Sequence, residues 1–160
     1  MNFQDILVKQ IELNKAIIED NKKDDLNLEK KQILALIVEV SELANEIQHF
    51  KYWKKNIKID ASKIVEEYSD GMHFYLSFGI TLGMSNDIEP IIADDDLTLQ
   101  FLAIYDSISK FSNKSTLDNF NNSFGLFIGL GKLLNYTDED MKNAYLRKNE
   151  INFERIKNKY

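Results

Sequence analysis

The chain has 160 residues, a formal net charge of −6, 44% apolar and 29% charged residues, and no cysteine. That length suits one domain with a true core. The acidic balance argues against a nucleic-acid groove, which needs a basic excess, and the missing thiols exclude disulfides and thiolate metal sites, as befits a cytoplasmic protein.

The first twenty residues, MNFQDILVKQIELNKAIIED, carry acids early and no continuous apolar core, so no secretory signal is predicted. Apolar residues at three- and four-residue spacing predict helices. The first covers about 3–20, with Phe3, Ile6, Leu7, Ile11, Leu13 and Ile17 as its apolar positions. After a polar break at 21–25, the second runs over about 28–55, turning Ile33, Leu36, Ile37, Val40, Leu43 and Ile47 inward. A turn at 56–60 precedes a third helix, capped by Asp60 or Ser62 and reaching about Leu82. Residues 83–96 form the clearest loop, with Ser-Asn-Asp, the single proline Pro90 and three successive aspartates. Asp95 or Asp96 caps a helix over about 97–112, and another covers about 116–135. Thr137-Asp-Glu-Asp140 reads as a capping box opening a last helix over about 138–157. The most apolar run, 124–134, is too short to span a bilayer and holds three glycines, so no membrane partner is expected. No strand alternation or internal repeat stands out. The expected fold is all-α, a bundle of about five to six helices forming one domain over 1–160. The four-residue glycine pairs Gly79/Gly83 and Gly125/Gly129 predict close helix packing.

Two acidic signatures carry the chemistry. Glu39-x-x-Glu42, with Glu46 a turn later, lies in LIVEVSELANEI, and Glu67-x-x-Asp70 lies in IVEEYSDGMHF. Residues three or four apart share a helix face, so each pair aims two carboxylates one way. An acidic pair on a helix is ordinarily a solvated face. These two sit among apolar neighbours, including Val38, Val40, Leu43 and Ala44 for the first and Val65, Met72, Phe74 and Leu76 for the second. Two such helices side by side would bring four carboxylates around one volume, a conflict that a hard divalent cation with oxygen ligands removes.

A cationic stripe follows in AYLRKNEINFERIKNKY, where Lys148, Asn152 and Arg155 share a face and Asn149 lies beside them. Alone this reads as a basic helix end complementing the dipole; beside a metal cluster it suits phosphate oxygens. Gln10-x-x-x-Asn14 places two amides on one face of the first helix, and Trp53 in FKYWK reads as core or pocket wall. A competing pattern, Glu46-x-x-His49 with Asp70-x-x-His73, is similar to the Glu-x-x-His pairs of ferritin-like di-iron carboxylate proteins. It leaves Lys148, Asn149, Asn152 and Arg155 without a role.

Taken in order, QIELN at 10–14, EVSELANE at 39–46, FKYWK at 50–54, EEYSDGMHF at 66–74 and AYLRKNEINFER at 144–155 resemble the dimeric all-α dUTPase family of the all-α NTP pyrophosphatases. The resemblance implies magnesium-dependent hydrolysis of dUTP, with dUDP as a candidate second substrate, to dUMP and pyrophosphate. It implies Glu39, Glu42, Glu67 and Asp70 as magnesium ligands and Lys148 and Arg155 as phosphate contacts. It also implies Asn149 and Asn152 near sugar or base, Gln10 and Asn14 as readers of uracil, Tyr160 in a closing C-terminal segment, and a homodimer. A repressor partner is implied for a phage-encoded relative. Glu39 is taken as the carboxylate that holds and deprotonates the attacking water. The chain departs from the family where Arg155-Ile-Lys-Asn-Lys-Tyr160 lacks the usual Gln and Gly. A sister reading is a housecleaning pyrophosphatase for another nucleotide, such as dCTP or a modified base.

Overall fold

The computed structural model describes residues 1–21 and 26–158. Tyr160 and most of the polar break at 21–25 lie outside the described residues. Six helices follow in order: α1 Gln4–Asn21, α2 Leu28–Ile47, α3 Ala61–Leu82, α4 Leu97–Asn113, α5 Leu117–Leu133 and α6 Asp138–Lys157. Among the described residues there is no strand, only an isolated bridge between Asn2 and Asp87. Among the described residues no helix is long and apolar enough to cross a membrane.

Helix α3 is the axis, packing against α1, α2, α5 and α6. Its Tyr68, Met72, Tyr75 and Leu76 are fully buried. Tyr68 stacks on Phe127 at 4.7 Å and Tyr75 on Phe124 at 4.9 Å, tying α3 to α5 through ring faces. The caps follow local chemistry. Asp60 accepts from the Ser62 and Lys63 amides, Asp96 from those of Thr98 and Leu99, and Thr137 with Asp140 closes a reciprocal capping box.

Three expectations change. Helix α2 stops at Ile47 rather than near 55. The next inward positions would place Lys51 and Lys54 in the core, which their charges forbid. Gln48 instead takes a left-handed conformation (φ 61°), donates to the Lys58 carbonyl at 2.8 Å and accepts from Lys54 at 2.8 Å. Phe3, just before α1, continues into a buried stripe of Ile6, Gln10 and Leu13, while Ile11 and Ile17 are exposed. An amide thus occupies a core position that the sequence pattern gave to isoleucine. The glycine pair on α5 receives a loop, not a helix. The Ile91 amide donates to the Gly125 carbonyl at 2.8 Å, and a side chain on Gly129 would fall on the Ile91 carbonyl. Gly83 ends α3 with φ 71°, the left-handed cap that glycine adopts without strain.

That loop, 84–96, is a structural clasp. Phe3 donates its amide to the Asn86 carbonyl at 2.7 Å, and Ile88 donates to Met1 at 3.1 Å, fastening the start of α1. The fully buried Gln100 donates to the Ile91 and Leu126 carbonyls at 3.0 and 2.8 Å and accepts from the Ala93 amide at 2.8 Å. Because the obstacle at Gly129 is backbone, Gly129→Ala should cost about 2 kcal/mol, the usual scale of overpacking. Thermal unfolding followed by circular dichroism should show a midpoint about 5 °C lower; an unchanged midpoint would refute the tight seat of Ile91.

Candidate active site

Helices α2 and α3 pack side by side and bring their acidic faces together. One carboxylate oxygen from each of Glu39, Glu67 and Asp70 lies within 4.8 Å of the others, all three residues half-buried. Glu42 stands exposed beside this group and outside it, yet close enough for its charge to raise the pKa of both Glu39 and Glu67. Burial is the larger cause. It acts with repulsion from Asp70, Glu42 and Glu67 to push Glu39 up to about 7. Burial with repulsion from Glu42, Asp70 and Glu66 pushes Glu67 up to about 7. Carboxyls held this high are in electrostatic conflict, and an oxygen-only donor set of this kind fits a hard divalent cation.

The cation that the chain itself supplies is Lys148 of α6. Its side chain is 6% exposed, and its Nζ donates to Asp70 Oδ2 at 2.7 Å and to Glu66 Oε1 at 2.8 Å. Burial alone would lower the ammonium's pKa; the bonds to Asp70 and Glu66 outweigh it and hold the group protonated. Burial raises Asp70 despite that contact, whereas Lys148 keeps the more exposed Glu66 below its ordinary value. Further along α6, Asn152 is half-buried and Arg155 exposed, with the Arg155 charge lowering both Glu66 and Asp70.

A second assembly adjoins the first. Gln10, 1% exposed, donates through Nε2 to Asn14 Oδ1 at 2.8 Å and Ser77 Oγ at 3.0 Å. Its Oε1 accepts from the Tyr145 hydroxyl at 2.9 Å and from His73 Nδ1 at 2.9 Å. Ser77 donates onward to Asn14 Oδ1 at 2.9 Å, and Asn149 Nδ2 donates to the Tyr145 hydroxyl at 3.2 Å. An amide oxygen only accepts, so His73 carries its proton on Nδ1 and leaves Nε2 as a lone pair. That nitrogen is buried without a hydrogen-bond partner. Burial, then the Lys148 charge, lowers the His73 pKa to about 3, so the ring is neutral at any working pH.

The acids of α2 and α3 therefore meet, and Lys148 meets them. Gln10, Asn14 and Asn149 are joined in a neighbouring network. The iron-type pairing does not assemble: the group of three contains no histidine, His49 bonds Thr98 at 2.9 Å, and His73 faces Gln10. Sequence reasoning passed over Glu66, Ser77 and Tyr145 and placed His73 only in the iron-type pattern. The available signal was polar spacing on an otherwise apolar α3, where Glu66, Asp70, His73 and Ser77 recur every three or four residues. Trp53 is exposed, in edge contact with Phe50 and Tyr52, so it is not core.

The fold is thus all-α, with an acidic centre between α2 and α3 and the Lys148 ammonium of α6 set against it. A family model described as dUTPase matches residues 2–160, and the chain belongs to that family. No curated protein matched the chain.

Glu39 and Glu67 titrate near 7 when folded and near 4.5 when unfolded. Between those values the folded chain holds more protons, so its stability falls as pH rises through the window. Each full shift would correspond to about 3 kcal/mol, and solvent screening at these half-exposed groups reduces it to about 1 kcal/mol. Thermal midpoints of the chelator-treated protein should fall between about pH 5 and about pH 7.5, less steeply in Glu39→Gln. A midpoint that instead rises over this range in both proteins would contradict the raised carboxyls.

Proposed function

We propose that this chain, as one nucleotide pyrophosphatase domain, hydrolyses dUTP to dUMP and pyrophosphate with magnesium as cofactor. The observation that carries the reading is the meeting of Glu39, Glu67 and Asp70 with the Lys148 ammonium, in a chain of the dUTPase family. Magnesium held by Glu39, Glu42, Glu67 and Asp70 would neutralise triphosphate charge and make a water acidic enough to attack near neutral pH. Glu39 would orient that water and take its proton. Lys148 and Arg155 stabilise charge on the phosphate oxygens, the dominant demand of phosphoryl transfer.

The amide network supports uracil as the base. Uracil offers an acceptor at O4 and a donor at N3, and cytosine inverts both. Asn14 uses its carbonyl on Gln10 and Ser77, keeping its amide as a donor. Asn149 uses its amide on Tyr145, keeping its carbonyl as an acceptor. Gln10, with both ends occupied, fixes these orientations and does not itself reach the base. A mismatched base would leave buried groups unpaired, which supports strong discrimination.

A homodimer in the cytoplasm completes the proposal. Support for an interface comes from a cavity of about 290 Å³ between α2 and α4, lined by Ala44, Phe50, Phe101, Leu102 and Tyr105. Leu34, Val38, Leu99 and Leu102 are exposed on these same two helices. A repressor would be a further partner if the chain is phage-encoded.

Pyrophosphate release should be measured with each dNTP and NTP, with magnesium present or chelated. Activity should be confined to dUTP and lost on chelation. Glu42→Gln and Asp70→Asn should each reduce turnover by about 100-fold or more with helicity unchanged; near-normal turnover would refute the metal assignment. A preference for dCTP would transfer the reading to the sister activity. Gln10→Leu, which unpins the network, should lower the dUTP-over-dCTP ratio by about tenfold or more, and an unchanged ratio would remove the network from base choice.

A further inference from the structure

Glu66 lies outside the carboxylate group suited to a metal, and no role has so far fallen to it. It nevertheless holds the same ammonium as Asp70, at 2.8 Å against 2.7 Å. The Asp70 carboxyl is therefore claimed twice: it contributes an oxygen to the group with Glu39 and Glu67, and it accepts from Lys148. A metal ion entering that group draws on the same carboxyl as the ammonium and sets a second positive charge beside it, which weakens the hold of Asp70 on the lysine. Were Asp70 its sole partner, the displaced lysine would be left charged, buried and unpaired, a costly state. Glu66, half exposed and on the same helix face, removes that obstacle.

We propose that Glu66 is a positioning residue, retaining the Lys148 ammonium while Asp70 exchanges it for a metal ion. One lysine then serves first as counter-ion to the acidic centre and afterwards as the cation presented to phosphate. This rests on the metal-dependent reading given above, and it makes Glu66 act only through Lys148.

Manganese provides a readout without turnover. The affinity of the nucleotide-free protein for Mn²⁺, followed by the electron paramagnetic resonance of the free ion, should be compared in wild type, Glu66→Gln, Lys148→Met and the double variant. Glu66→Gln should weaken Mn²⁺ binding by about fivefold, because the lysine then leans wholly on Asp70. Lys148→Met should strengthen binding, and adding Glu66→Gln to it should change the affinity by less than about twofold. Equal losses from Glu66→Gln in both backgrounds would overturn the proposal, since Glu66 would then act as one more negative charge. No loss in either background would overturn it as well. Failure of wild type to bind Mn²⁺ at all would sink the metal reading itself, a distinguishable result. Should Lys148→Met not fold, the buried ammonium can be followed by nitrogen-15 resonance. Its signal should shift when Mg²⁺ is added to nucleotide-free wild type, and a stationary signal would overturn the exchange.

Discussion

The contact between Lys148 and the acidic edge of α3 is the interaction on which the rest of the arrangement turns. Helices α2 and α3 hold Glu39, Glu66, Glu67 and Asp70 in one neighbourhood, and α6 supplies a compensating charge from a nearly buried side chain. Buried ion pairs seldom add net stability, because desolvation offsets attraction. This one is better understood as fixing register. Setting Lys148 against Asp70 places Tyr145 one turn earlier against Gln10, and Asn149 beside it. The same helix face thus neutralises the acids and orients the amides.

Along α3 the character of that edge changes in a definite order. Glu66 and Asp70 are anionic, His73 is neutral, and Ser77 is a hydroxyl within the amide network. From 66 to 77 the helix rises about 16 Å, enough to lay a nucleoside triphosphate along it. The gradient suits a ligand that is highly charged at one end and neutral but hydrogen-bonding at the other. On the proposed function, phosphates would lie by the acids and Lys148, and the base by Asn14 and Asn149.

Much of this was legible from residue order, for identifiable reasons. Helix starts were written in local chemistry: Asp60, Asp96 and the Thr137–Asp140 box cap where their side chains suggest. The convergence of Glu39, Glu67 and Asp70 followed from i, i+3 spacing on two helices with apolar flanks. The end of α2 was not legible, because Phe50 and Trp53 extend an apolar impression that only the lysines between them contradict. Nor was the burial of Gln10, since an amide in a core stripe looks like a surface residue until four partners enclose it. The stretch 84–135 showed no motif because its work is steric: Ile91 lies across glycines, and Gln100 bonds to main chain, which leaves no side-chain signature.

Every member of the ring around Gln10 has a fixed polarity. Asn149 points to Tyr145, Tyr145 and His73 point to the Gln10 oxygen, and the Gln10 nitrogen points to Ser77 and Asn14. Base preference would then be stored as the sense of a circuit, not in any one side chain. Reversing one link sets donor against donor or lone pair against lone pair at the next. Divergence toward a different base would have to cross intermediates that recognise none, so specificity at such a site is hard to drift away from one substitution at a time.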